Sequence, residues 1–115
     1  MSAPFIPLAH DAATGLDTLD VSVGLSVGPP EQQFMFGGVG IGAALASMER
    51  LSGRPAIWAT AQYLSYARPG SRVEIAPMIM TEGRAITQAR ATITCDGREV
   101  LTATAAMGER DGWHD

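Results

Sequence analysis

Gly37 and Gly38 open the helix-like part of this chain and have the clearest chemical potential in the sequence. Residues 36–51 read FGGVGIGAALASMERL, and behind the glycine pair apolar residues recur at steps of three and four. The first N–H groups of a helix have no partner within it and lie at the positive end of its dipole. Such a start can hold a carbonyl oxygen or an anion. The structural alternative is that the glycines only allow close packing on a neighbouring backbone.

Tyr63 and Ser65 are a second pair of candidates, in a strand-like segment over 56–67. In an extended strand they share one face with Ala59 and Ala61. If this small-residue face lies against the helix, Tyr63 and Ser65 could hydrogen-bond a ligand or a water molecule. The alternative, which we favour, is core packing with Tyr63 bonded to backbone.

The other titratable residues give weaker signals. His10 follows Ala9 and precedes Asp11, and a surface histidine is a more common finding than an oriented imidazole. Glu49 is interpreted as a solvated charge near the helix end rather than a base. Cys95 is predicted to be a buried structural residue. Two histidines and one cysteine in unrelated segments form no metal-binding pattern, so no metal and no other cofactor is predicted.

A helix and a sheet must position these residues, and the residue pattern predicts both. An extended N-terminal segment over 1–17 leads to a strand over 18–27, where apolar and polar residues alternate. The helix ends at Ser52, where the following Gly53 suits a left-handed conformation. Four strands then follow, and residues 109–115 form a polar tail; the strands cover residues 56–67, 72–81, 85–95 and 99–107. An Asp-Gly step between the last two strands predicts a tight hairpin.

The order of one strand, one helix and four consecutive strands predicts an α+β hotdog fold. In this fold a curved antiparallel sheet of about five strands wraps around one central helix, and a single domain would cover residues 1–115. Gly40 and Gly42 would each weaken an exposed helix by about 1 kcal/mol relative to alanine. Their presence therefore indicates that a neighbouring backbone passes close to the helix.

Composition excludes several classes of protein. The chain has 115 residues, enough for one core, and 17% of them are charged. Its formal net charge is −4 and its arginines are scattered, so neither nucleic acid nor an anionic membrane surface is a predicted partner. The longest apolar segment is shorter than the roughly 20 residues that cross a bilayer. No signal-peptide pattern opens the sequence, so the cytoplasm is the predicted compartment.

Four short motifs together resemble the acyl-CoA thioesterase II family, and in particular the N-terminal hotdog of its double-hotdog chains, over about residues 15–108. The motifs are Phe36-Gly37-Gly38, Tyr66-Ala67-Arg68-Pro69-Gly70, Gln88-Ala89-Arg90 and Thr102-Ala103-Thr104. The resemblance implies hydrolysis of acyl-CoA thioesters to free acid and CoA. It places polarisation of the thioester carbonyl on the backbone N–H of Gly37, Gly38 or Val39. The strand pattern over residues 56–67, and not the resemblance, suggests that Tyr63 and Ser65 border an acyl channel if their face lies against the helix.

The sequence departs from the family where an acid and an amide would activate water. That family uses an Asp, a Thr or Ser, and a Gln, supplied by the second hotdog of each chain. Ala61 lies near the Asp position, Ala106 lies where the Gln would be, and Leu45 occupies the helix position at which another hotdog group has an acid. The catalytic residues of this chain are therefore unknown.

Two functions remain open. The first is a thioesterase whose site combines Gly37 and Gly38 with groups from a partner hotdog. The second is a non-catalytic acyl-CoA-binding or assembly module, equivalent to the helper half of a double hotdog. Because a hotdog sheet has open edges, a homodimer or a higher homo-oligomer is predicted for either function. A truncated double hotdog is a third reading, favoured by Trp113 in the polar tail, and a hotdog hydratase is a weaker competitor.

Overall fold

The fold consists of one helix against one curved antiparallel sheet in the described part of the chain. The structure is a computed structural model that describes residues 8–22, 25–28, 34–35 and 37–108. In chain order its elements are β1 (Ala9–Asp11), β2 (Leu16–Asp20), β3 (Ser26–Val27), β4 (Phe34–Met35), α1 (Gly37–Ser52), β5 (Ala56–Tyr63), β6 (Arg72–Glu82), β7 (Ile86–Cys95) and β8 (Arg98–Gly108).

The main sheet has six strands rather than the five predicted. Its order is β1-β2-β6-β7-β8-β5, and every neighbouring pair is antiparallel, while β3 and β4 form a separate short pair. The predicted architecture, a sheet around a central helix, is confirmed. The predicted tail over 109–115, including Trp113, lies outside the described residues.

The predicted first strand over 18–27 is wrong in its bounds. The sheet strand begins earlier, at Leu16, and ends at Asp20. The next residue, Val21, exchanges backbone hydrogen bonds with the loop residues Gly70 and Ser71, and so leaves the pairing with β6. The N-terminal segment also contributes strand β1, which pairs with β2 across a four-residue turn. Alternation continues past the strand end at Val21, which is 2% exposed although it has left the sheet, because a period of two reflects side-chain burial and not backbone pairing.

The helix α1 buries one face against the sheet, as its apolar spacing predicted. Ala44 and Met48 are fully buried, Ile41 and Leu45 pack partly against the core, and Leu51 is exposed. The helix ends where glycine permits a left-handed backbone, with φ 71° at Gly53. Small residues of the sheet allow the helix to approach closely; on β7 and β8 these are Ala89, Ala91, Ala103 and Ala105.

Strand β5 ends at Tyr63, four residues before the predicted end of this strand. After it the chain bends along β8, where the N–H groups of Leu64 and Ser65 both donate to the Val100 carbonyl. The segment then passes β4, where the Met35 N–H donates to the Ala67 carbonyl at 2.6 Å. These bonds bring the end of β5 next to the beginning of α1.

Candidate functional site

The site is built around the first turn of α1. Gly37 begins the helix and Gly38 is exposed, whereas Val39 and Gly40 are buried. Because N–H groups at this position have no intrahelical partner, the turn can offer donors to a carbonyl that approaches at the exposed Gly38. The turn contains no acidic residue that would compete for these donors or repel an anion.

Tyr63 lies against this turn from the end of β5. Its phenol forms a hydrogen bond with the backbone of Ile41. Burial raises the pKa of Tyr63 above its ordinary 10.0, and the bond with Ile41 opposes that rise. A Cβ atom on Gly40 would lie 2.6 Å from the Tyr63 hydroxyl oxygen and 3.1 Å from Met35 Cε. The core packing that we favoured for Tyr63 is wrong, since 39% of the residue is exposed and it lies outside the core cluster, whereas the expected bond to backbone is present at Ile41. A contact of Tyr63 with a ligand stays a prediction.

Ser65 is engaged by the hairpin between β7 and β8. Its hydroxyl donates to the Glu99 carbonyl at 2.7 Å and accepts a hydrogen bond from Arg98 Nε at 3.1 Å. The same guanidinium donates from Nη2 to the Tyr66 carbonyl at 2.7 Å. Because its hydroxyl proton is already donated to the Glu99 carbonyl, Ser65 is less able than Tyr63 to donate to a ligand. Its role in ligand binding stays a prediction.

The positions at which a family acid or amide was sought carry no reactive group. Ala61 lies on the inner face of β5, paired with Ala103, and is exposed. Ala106 pairs with Trp58 at the opposite end of β5 and lies outside the core cluster that faces α1. Leu45 packs partly against that core. None of these side chains can take a proton from water.

A buried polar cluster that the sequence analysis missed joins the second half of α1 to the β1–β2 hairpin. Asp17, with 1% of its surface exposed, accepts hydrogen bonds from Ser47 Oγ, from Arg50 Nε at 3.1 Å and from Arg50 Nη2 at 3.1 Å. His10 Nδ1 lies 2.8 Å from the same carboxylate. Burial raises the pKa of Asp17, but the hydrogen bonds from Ser47, Arg50 and His10 and the Arg50 charge outweigh it, so the pKa lies below 3.8.

This cluster is a structural clamp and not a catalytic relay. A serine nucleophile is activated when its hydroxyl donates to a histidine base, whereas Ser47 donates to the Asp17 carboxylate. The partner of His10 is not its sequence neighbour Asp11. It is Asp17, which faces His10 directly across the hairpin. A signal was present in the sequence, since Asp17 and Leu19 share a strand face and Leu19 is a core residue.

Glu49 differs from the solvated charge that was predicted. Its Oε2 accepts a hydrogen bond from the Ala56 N–H at 2.9 Å, so the carboxylate fixes the beginning of β5 beside the end of α1. This position is far along the helix from Gly38, and Glu49 contributes no base to the first turn. In residues 8–22, 25–28, 34–35 and 37–108, no group of three or more metal-ligating side chains occurs. No helix in these ranges has the length and apolar character to span a bilayer.

Comparison with known proteins agrees with this architecture. Residues 27–108 match the sequence model of a family described as "Acyl-CoA thioesterase N-terminal domain". A protein from Novosphingobium aromaticivorans, provisionally named a thioesterase, is 30% identical and aligns over 91% of this chain with a TM-score of 0.84. A provisionally named thioesterase II from Thermobifida fusca is 21% identical over 90% of this chain, with a TM-score of 0.78.

A third solved structure carries a ligand. The protein smu.793 from Streptococcus mutans, solved with acetyl-CoA bound, is 20% identical over 82% of this chain and 78% of its own length, with a TM-score of 0.73. The present chain spans only 41% of the Novosphingobium protein and 37% of the Thermobifida protein. A search of curated proteins by sequence gave no match.

Proposed function

We propose, from the premise that this chain belongs to the acyl-CoA thioesterase N-terminal domain family, that it hydrolyses acyl-CoA thioesters to a free acid and CoA. The observation that carries the proposal is the glycine-rich first turn of α1, which is exposed at Gly38. The acetyl-CoA bound to the Streptococcus mutans structure supports a CoA thioester as the class of ligand.

In the proposed mechanism the first turn of α1 polarises the thioester carbonyl. A backbone N–H of Gly37, Gly38 or Val39 donates to the carbonyl oxygen and stabilises the oxyanion that forms when water attacks. The tetrahedral intermediate then collapses, the C–S bond breaks, and the CoA thiolate takes a proton. Removing one such donor raises the barrier by about 3 kcal/mol in enzymes where it has been measured.

The base that activates water must come from another hotdog domain, and from a position other than 61 or 106 where that domain is a second copy of this chain. The corresponding positions of this chain hold Ala61 and Ala106, which have no proton acceptor. We therefore propose that the complete site lies between two hotdogs. The proportion of the Novosphingobium and Thermobifida chains that remains unmatched is long enough for a second domain of this size.

The edge strand β5 is the proposed pairing surface for a second copy. Among the described strands it pairs only with β8, and its eight residues include no charge and no proline. Natural sheets protect open edges with charged residues, prolines or short strands, and the opposite edge is only three residues long. Exposed apolar side chains line β5 and the segment after it, namely Trp58, Leu64 and Tyr66. Pairing along β5 would give a homodimer, or a higher homo-oligomer with further contacts.

The second candidate is a non-catalytic acyl-CoA-binding or assembly module. The observation that favours it is again the presence of alanine at positions 61 and 106. Such a chain would hold the acyl-CoA or support a catalytic hotdog without hydrolysing the thioester itself.

Release of free CoA thiol from acyl-CoAs of increasing chain length separates the two candidates. The matched binding measurement is calorimetric titration with a thioether analogue, which has no hydrolysable C–S ester bond. Gly38→Val places bulk beside the proposed donors, and Ala76→Val, on an exposed position of β6, is the control. Turnover that falls at least about tenfold in Gly38→Val alone supports the thioesterase. Binding without turnover supports the helper module, and the absence of both overturns both candidates.

A further inference from the structure

We propose that Tyr63 is a positioning residue, which holds the first turns of α1 from the edge strand β5 and so fixes the direction of the N–H groups at the helix start. The importance of this direction for hydrolysis rests on the proposed function. The contacts by which Tyr63 holds the start of α1 do not depend on the proposed function.

The geometry at the end of β5 carries the inference. Tyr63 pairs with Leu101 and so lies on the inner face of the sheet, beside α1. Its hydroxyl bonds to the backbone of Ile41, one turn into the helix. A tyrosine side chain has only two torsions, χ1 and χ2. A hydrogen bond at its hydroxyl therefore couples the position of the helix closely to that of the strand.

Gly40 is the residue that makes this contact fit. A Cβ there would come within 2.6 Å of the Tyr63 hydroxyl oxygen, a distance at which one of the two groups must move. It would also meet Met35 Cε at 3.1 Å and Leu101 Cδ1 at 3.4 Å. The glycine that the sequence analysis attributed to a close backbone thus accommodates a side-chain hydroxyl instead.

The start of α1 needs such an external support. The helix begins with four glycines in its first six residues, and glycine has the largest backbone entropy to lose on ordering. The clamp at Asp17 holds only the second half of the helix, through Ser47 and Arg50. Tyr63 also stands on the strand proposed to pair with a second copy, and 39% of it is exposed. A partner that docks on β5 would therefore contact Tyr63, the residue that orients the helix start.

A double-mutant cycle between Tyr63→Phe and Gly40→Ala tests the inference. The readout is amide hydrogen exchange of residues 41–44, the first whose N–H groups have partners within the helix. Loss of one hydrogen bond predicts exchange about three- to tenfold faster at these amides in Tyr63→Phe. Gly40→Ala displaces the same hydroxyl, so the double variant should exchange little faster than either single variant. Tyr66→Phe removes a hydroxyl from a side chain that is 65% exposed and is the matched control.

Two further readouts separate positioning from general loss of stability and from failure of the proposed function. Positioning confines faster exchange to the helix start, whereas destabilisation of the whole fold would raise it in β7 and β8 as well. Where acyl-CoA is hydrolysed, kcat should fall about three- to tenfold in Tyr63→Phe with KM little changed. If the wild-type chain hydrolyses no acyl-CoA, the proposed function fails while the exchange cycle still decides the role of Tyr63. Unchanged exchange at residues 41–44 in Tyr63→Phe, or additive effects in the cycle, would overturn the inference.

Discussion

Replacing Asp17 with asparagine should destabilise the fold, although the two side chains have nearly the same shape. Asparagine keeps the shape of the side chain but removes the charge that Arg50 and His10 face, and one of its two terminal atoms becomes a donor. Ser47 is fully buried and donates to the carboxylate of Asp17. In the asparagine variant its hydroxyl would face the amide NH2 group, so two hydrogen-bond donors would meet without an acceptor between them.

The magnitude follows from burial of the partners. Breaking a fully buried charge pair from one side destabilises by about 3–5 kcal/mol. Asp17 is buried, but the side chains of Arg50 and His10 are 38% and 36% exposed, so water can solvate them once the carboxylate is gone. We therefore expect the lower end, about 3 kcal/mol at neutral pH, which for a domain of this size lowers Tm by about 10 °C.

Urea denaturation of the wild type and Asp17→Asn at several pH values provides the assay. The folded pKa of Asp17 is below its ordinary value of 3.8, so the ionised carboxylate stabilises the fold above pH 3.8, and this stability is lost as the pH falls through the folded pKa. The difference between the two proteins should therefore shrink below pH 3.8. Asp20→Asn, whose salt bridge with Arg72 is exposed on both sides, is the control and should change stability far less. A difference under about 1 kcal/mol at neutral pH, or one that grows in acid, would refute this account of the clamp.

Three further outcomes follow from the same contacts. Arg54→Met removes hydrogen bonds to the Gly83 carbonyl and to the buried Thr87 hydroxyl, and should lower the free energy of unfolding by about 2 kcal/mol in urea denaturation; an unchanged midpoint would contradict the assigned bonds. Gln62→Lys places a charge on the exposed edge strand β5 and should give a monomer by light scattering at concentrations where the wild type pairs; an equally stable dimer would move the interface elsewhere. Cys95 is buried, so a thiol reagent should label the chain only after denaturant is added, and labelling of the native protein would show the core to be open.

The sequence predicted most of the sheet because local chemistry fixes its turns. The Asp96-Gly97 step has positive φ angles of 53° and 77°, and the predicted hairpin lies there. The last two strands begin and end within one residue of their predicted bounds. Strand β1 escaped prediction because three polar and small residues carry no alternation, and only pairing with β2 holds them in the sheet.

The helix start could be predicted as a candidate site, whereas the contacts around it could not. Glycines followed by an apolar period are a local pattern. The neighbours of Gly40 are set by the sheet register, which brings Tyr63 from 23 residues further along the chain. Asp17 was missed for a similar reason, because its partners Ser47 and Arg50 lie 30 and 33 residues away.

A crystal structure with a non-hydrolysable acyl-CoA analogue that keeps its carbonyl group tests the central claim most directly. The distance to measure joins that carbonyl oxygen to the backbone nitrogens of Gly37, Gly38 and Val39. A hydrogen bond of about 3 Å to at least one of them is predicted. A well-ordered analogue whose carbonyl lies elsewhere, with the start of α1 untouched in every subunit, would contradict it.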